Sequence, residues 1–147
     1  MKAAPLIVTI LFLAVAGSPA AARSSPLPAG AYRTQANAIC AREQRESIAR
    51  LTGSKDLAHY LAAEEPVLRM AVTSLERLSP PSSLAVPHSD VVNVVKGQLA
   101  LITSLAARAK AGKLTSAQWQ NNATLRNLNT RELALWMQLG AEGCANP

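Results

Sequence analysis

Residues 57–78 read LAHYLAAEEPVLRMAVTSLERL and set Leu57, Leu61, Glu64, Leu68, Ala71, Leu75 and Leu78 at alternating steps of four and three. With 3.6 residues per turn, that spacing lines one face of an α-helix. Ser54 and Asp56 suit its start as N-cap and first-turn acid, and Ser79-Pro80-Pro81 ends it. One member breaks the apolar rule. Glu64 occupies the seam close to Pro66, which removes a backbone donor and kinks helices. The plain expectation is that its carboxyl escapes to solvent at the kink or meets an arginine; the sharper alternative is that it faces an internal cavity.

The same period recurs on both sides of this segment. A first helix is expected over residues 31–51, stopping at Thr52-Gly53, with Arg42, Glu46 and Arg50 four apart on a solvated face. A third starts around Pro87 and ends at Gly112, its seam Val92, Val95, Leu99, Ile102, Ala106 and Ala109 being apolar throughout. The fourth opens on the capping box Thr115-Ser116-Ala117-Gln118 and runs to Leu139-Gly140. Its apolar face is Leu125, Leu128, Leu135, Trp136 and Leu139, while Asn121, Asn122, Asn127 and Asn129 are poor helix formers that need packing or polar contacts. Trp136 is expected in the core and Trp119 partly exposed. Four helices joined by short turns give an all-α fold, an up-down-up-down four-helix bundle closed by one disulfide.

Upstream, Met1-Lys2, the apolar run from Leu6 to Val15 and the small residues Gly17 to Ala22 form a signal-peptide pattern, with cleavage after Ala20 or Ala22. The expected division is a signal peptide over 1–22, a flexible leader over 23–30 rich in Ser, Pro and Gly, and one bundle domain over 31–147. The chain carries a formal +6, and about +5 once Lys2 leaves. Val91 to Ala109 is interrupted by Asn93, Lys96, Gln98 and Arg108, so no membrane span is expected in the mature chain. Export to a periplasm or extracellular space implies oxidising conditions. The two cysteines, Cys40 and Cys144, then allow a single intramolecular bridge, against the alternative of a reactive or intermolecular thiol.

Chemistry-bearing patterns are sparse. The only histidines are His59 and His88, no nucleophile elbow is present, and neither histidine stands three after a glutamate as di-metal bundles require. A c-type haem would need C-x-x-C-H, which is absent. No catalytic residue, metal or cofactor is therefore assigned. Glu43, Glu64 and Glu132 approach the seams of three helices, and Glu64, Gln98, Glu132 and Trp136 are the candidates for a pocket or polar core. An exported enzyme acting on an anionic small molecule through Arg, Glu and Gln would draw on Arg42, Arg45, Lys55, Glu64 and Gln98. With four aromatics past the signal peptide and much of the basic charge in last helical turns, nucleic acid is disfavoured. Weak contact with an anionic envelope polymer stays open.

In combination, Ala36-Asn37-Ala38-Ile39-Cys40-Ala41, Leu75-Glu76-Arg77-Leu78-Ser79-Pro80-Pro81, His88 soon after it, and the Leu139-Gly140…Cys144 end are specific. From Tyr32 to Cys144 the chain resembles a group of small exported all-helical proteins of high-GC bacteria. The resemblance implies a helical bundle closed by one disulfide and carries no established activity. Many of that group are lipoproteins, whereas this chain lacks the lipid-bearing cysteine. The expectation is a non-enzymatic exported module that binds a protein partner or a small ligand between its helices.

Overall fold

The structure, a computed structural model, describes residues 25–145, and the expected signal peptide lies outside them. Helix α1 spans Ala29–Gly53, α2 Leu57–Glu76, α3 Ala85–Lys110, α4 Ser116–Gln120, α5 Ala123–Leu139 and α6 Glu142–Ala145; a 3-10 turn over Ser82–Leu84 leads into α3. No strand occurs among the described residues. The fold is all-α, and a disulfide joins Cys40 to Cys144 across a sequence separation of 104.

The caps explain where the helices begin. Asp56, one turn before His59, accepts from its backbone N–H at 2.9 Å, so α2 starts there; Ser54 instead donates to the Arg50 carbonyl at 2.6 Å. The Thr115/Gln118 capping box forms as the sequence implies. Past this box the chain departs from the single long helix expected there. Asn122 accepts from the Leu125 N–H at 2.9 Å and N-caps a new helix, so the segment divides into α4 and α5. Asparagine competes with the helical backbone for hydrogen bonds, and the pair Asn121-Asn122 marks the break.

The seam of α2 is placed as its spacing predicts, with Leu61, Glu64, Leu68, Ala71 and Leu75 buried. On α3 the expected seam residues Val92, Val95 and Ile102 are buried, together with Val91, Val94, Gln98 and Leu105 beside them, while Leu99, Ala106 and Ala109 are only partly covered. By length and composition the stretch Ser82–Lys110 is nonetheless apolar enough to cross a membrane, despite the polar interruptions that weigh against a span. Its buried face is the seam that packs between α2 and α5. Helix α1 is unlike the others: only Tyr32 and Ala36 are buried along its 25 residues, while Ile48 and Leu51 stand exposed. The preceding leader is docked in its last part, since the Leu27 N–H donates to the Ser79 carbonyl at 2.8 Å and its side chain packs on the core.

Close packing runs from α1 to α2, α2 to α3 and α3 to α5, while the short α6 bridges α5 and α1. Two glycines permit that bridge. Gly140 ends α5 at φ 66° in the left-handed region, and a Cβ there would sit 2.8 Å from Arg33 Nε, whose N–H donates to the Leu139 carbonyl at 3.0 Å. At Gly143 a Cβ would meet Asn37 Oδ1 at 3.1 Å. The chain is thus pinned where α5 ends beside the start of α1.

Candidate functional site

Because α6, rather than a long helix–helix seam, joins α1 to α5, a cavity of about 480 Å³ remains between them, floored by α2 and α3. Each wall is a helical stripe. Helix α1 contributes Cys40, Glu43, Gln44 and Ser47, α2 Tyr60, Glu64 and Leu68, and α3 Gln98 and Ile102. Trp119 comes from α4, and Leu125, Asn129, Glu132, Leu133 and Trp136 from α5; Gly143, Cys144 and Ala145 of α6 close one end. The disulfide is thereby part of the wall.

Glu64 neither reaches solvent nor meets an arginine. It is 9 % exposed, its Oε1 accepts from Ser47 Oγ at 2.7 Å, and its Oε2 is buried without a partner among the described residues. Gln98, a polar-core candidate from the sequence, is buried. Its Nε2 donates to Asn129 Oδ1 at 3.1 Å and to Glu132 Oε2 at 2.6 Å, while the other Glu132 oxygen accepts from Trp136 Nε1 at 2.9 Å. All four of Glu64, Gln98, Glu132 and Trp136 therefore line one cavity, and Glu43 joins them. Burial, then repulsion from Glu132 and Glu64, pushes the Glu43 carboxyl up to about 8. Tyr60, stacked edge-on against Trp119 at 6.2 Å between ring centroids, is raised by burial and then by Glu64.

Among the described residues no lysine, arginine or histidine lines this cavity. Arg42 is exposed and donates to Ser74 Oγ at 2.7 Å, on the surface hollow it shares with Arg69 and Arg77; Arg45 and Lys55 lie outside the cavity wall too. His88 stands at a helix end, in the first turn of α3. It is buried on α3, its Nδ1 2.9 Å from the Tyr32 hydroxyl, and burial lowers its pKa and raises that of Tyr32 to about 12. Among the described residues no group of three His, Cys, Asp or Glu side chains stands close enough to hold a metal ion.

Sequence reading passed over Ser47, Tyr60, Asn129 and Trp119 as cavity residues. The signal was there in part. Glu43 to Ser47, Tyr60 to Glu64 and Asn129 to Glu132 are steps of four, four and three, so each helix carries a polar stripe beside its core-type positions.

The Glu43 carboxyl gives a pH-dependent expectation. Its folded pKa lies above the ordinary value, so its contribution to stability is complete below about pH 4.5 and is lost as pH rises through about 8. Glu43→Gln, which cannot ionise, is expected to match the wild type near pH 4 and to exceed it by about 2 kcal/mol or more near pH 9. Urea unfolding at the two pH values reads this directly; an equal gap at both contradicts it.

The chain matches no family model, no curated protein and no solved structure.

Proposed function

We propose that this protein is an exported, non-enzymatic helical module of the bacterial envelope or extracellular space that holds a small ligand between its helices. The observation that carries the reading is the cavity of about 480 Å³, of a size with small-molecule sites, walled by apolar and aromatic side chains with a few convergent polar groups. The proposed arrangement is an up-down-up-down bundle whose fourth helix is broken at Asn121 and Asn122. Contacts of opposite sense between α1 and α2, Ser47 to Glu64 and Arg42 to Ser74, support it. So does the meeting of α1 and α5 at Arg33 and Leu139. The likeness to small exported disulfide-closed proteins belongs to the same reading. An enzyme acting on an anion is the weaker alternative, because the cavity gathers glutamates and no cation among the described residues. Contact with an anionic envelope polymer draws its support from Arg42, Arg69 and Arg77 around one surface hollow.

Native mass spectrometry of the mature protein, taken without reductant from its host's export compartment, tests this reading. The expected species is two hydrogens lighter than the reduced chain and carries additional bound mass. A bare oxidised monomer speaks against a resident small ligand and directs attention to crosslinking on the arginine face.

A further inference from the structure

Resting on the cavity being the functional site, we infer that its ligand is an organic ammonium, an amine with an apolar body, seated with its charged nitrogen toward Glu64 and its body against Tyr60 and Trp119. Two observations carry this independently. The first is the composition of the wall: Glu43 on α1, Glu64 and Tyr60 on α2 and Glu132 on α5 are its titratable groups, α3 contributes the neutral Gln98, and neither α4 nor α6 supplies a charge. The second is the Glu64 carboxyl itself. It is nine-tenths buried, half satisfied by Ser47, and leaves Oε2 without a donor among the described residues and closed to solvent, so a ligand nitrogen reaches it as the carboxyl turns toward the cavity. A buried acceptor of this kind costs free energy until a donor arrives, and an ammonium brings up to three.

The remaining features select the class of cation. Metal ions want several carboxylates within about 2–2.6 Å of one point, and no such group exists among the described residues. The glutamates sit on three different helices around a space large enough for an organic body. Tyr60 and Trp119, packed edge to face, stand in the wall and give the apolar body an aromatic surface to bury. Glu132 is committed at both oxygens, to Gln98 and Trp136, which fixes it as a positioned charge rather than a free acceptor. Glu43 is the group that answers to the ligand. An arriving ammonium offsets the repulsion from Glu64 and Glu132, so binding expels the Glu43 proton and strengthens as pH rises.

Both tryptophans of the mature sequence line the cavity, so intrinsic fluorescence reports its occupation. Three probes of one shape separate charge from fit: 2-cyclohexylethylamine, 2-cyclohexylethanol and cyclohexylacetate, each titrated to millimolar concentration into the oxidised protein, with calorimetry alongside. The amine is expected to bind at least about tenfold more tightly than either analogue and to gain about tenfold or more from pH 6 to pH 9, where it stays protonated. Glu64→Gln, which keeps the acceptor for Ser47, is expected to lose about tenfold or more in amine affinity with its helical circular dichroism unchanged. Glu43→Gln is expected to remove the pH dependence. Alcohol or carboxylate binding as tightly as the amine overturns the charge inference and leaves the cavity reading standing. Binding of calcium, magnesium or zinc ions in preference to the amine overturns it in favour of a metal. No response to any of the three probes overturns it as well, and bound mass in the native spectrum then decides the cavity reading separately.

Discussion

Replacing Cys40 and Cys144 together by serine is expected to destabilise the domain by about 4–5 kcal/mol, the chain-entropy value for a loop of about 100 residues. The closed loop here spans 104 positions, nearly the whole described chain. For a domain of this size the loss corresponds to a fall in Tm of roughly 15–20 °C. The size of the effect has a structural reason beyond loop entropy. Helix α1 buries only Tyr32 and Ala36, and α6 is four residues long, so neither is held by an extensive apolar face of its own. Without the bridge, α6 loses its tie to α1 and the cavity loses Cys40 and Cys144 from its wall. Scanning calorimetry of the oxidised protein and the double variant checks this, and a difference below about 1 kcal/mol contradicts it.

Trp136→Ala is expected to cost about 3–5 kcal/mol, as large-to-small substitutions of buried aromatics do. Trp136 is 2 % exposed, belongs to the main core cluster, and donates from Nε1 to Glu132. Truncation therefore enlarges the cavity on its core side and also removes one of the two donors that fix the Glu132 carboxyl. Trp136→Phe separates these contributions. It keeps an aromatic ring in the core but loses the N–H and part of the indole volume, for an expected cost of about 1–3 kcal/mol. Urea unfolding of both variants reads the split; equal costs for the two substitutions contradict the role given to packing.

The α2 seam shows how far periodicity carries. Leu61, Leu68, Ala71 and Leu75 are buried where their spacing puts them, because a regular stripe has only one way to face a neighbouring helix. Glu64 shows where it stops. Its position on the seam was legible, but its environment depends on α1 standing apart from α5, and that is set by packing between segments about 90 residues apart in sequence. The default outlets, solvent at Pro66 or an arginine partner, were local answers to a tertiary question. The break between α4 and α5 has the opposite character: Asn121-Asn122 carried the signal, and the strong capping box just before it suggested a single longer helix. His88 was hidden for the same reason as the cavity. Nothing near it in sequence announces that Tyr32, 56 residues earlier, lies against it.

If the space between α1 and α5 receives a small molecule, the side chains around it must sense the arrival. Two-dimensional nitrogen-15 NMR of the oxidised protein, recorded before and after addition of a small-molecule extract of its host cells, reads this residue by residue. Trp119 and Trp136 are the sequence's two tryptophans, and both side chains line the cavity. Both indole N–H signals are expected to shift, together with the backbone signals of Ser47 and Glu64. Unmoved indole signals, with shifts confined to the arginine face around Arg42, Arg69 and Arg77, would contradict a ligand in that space.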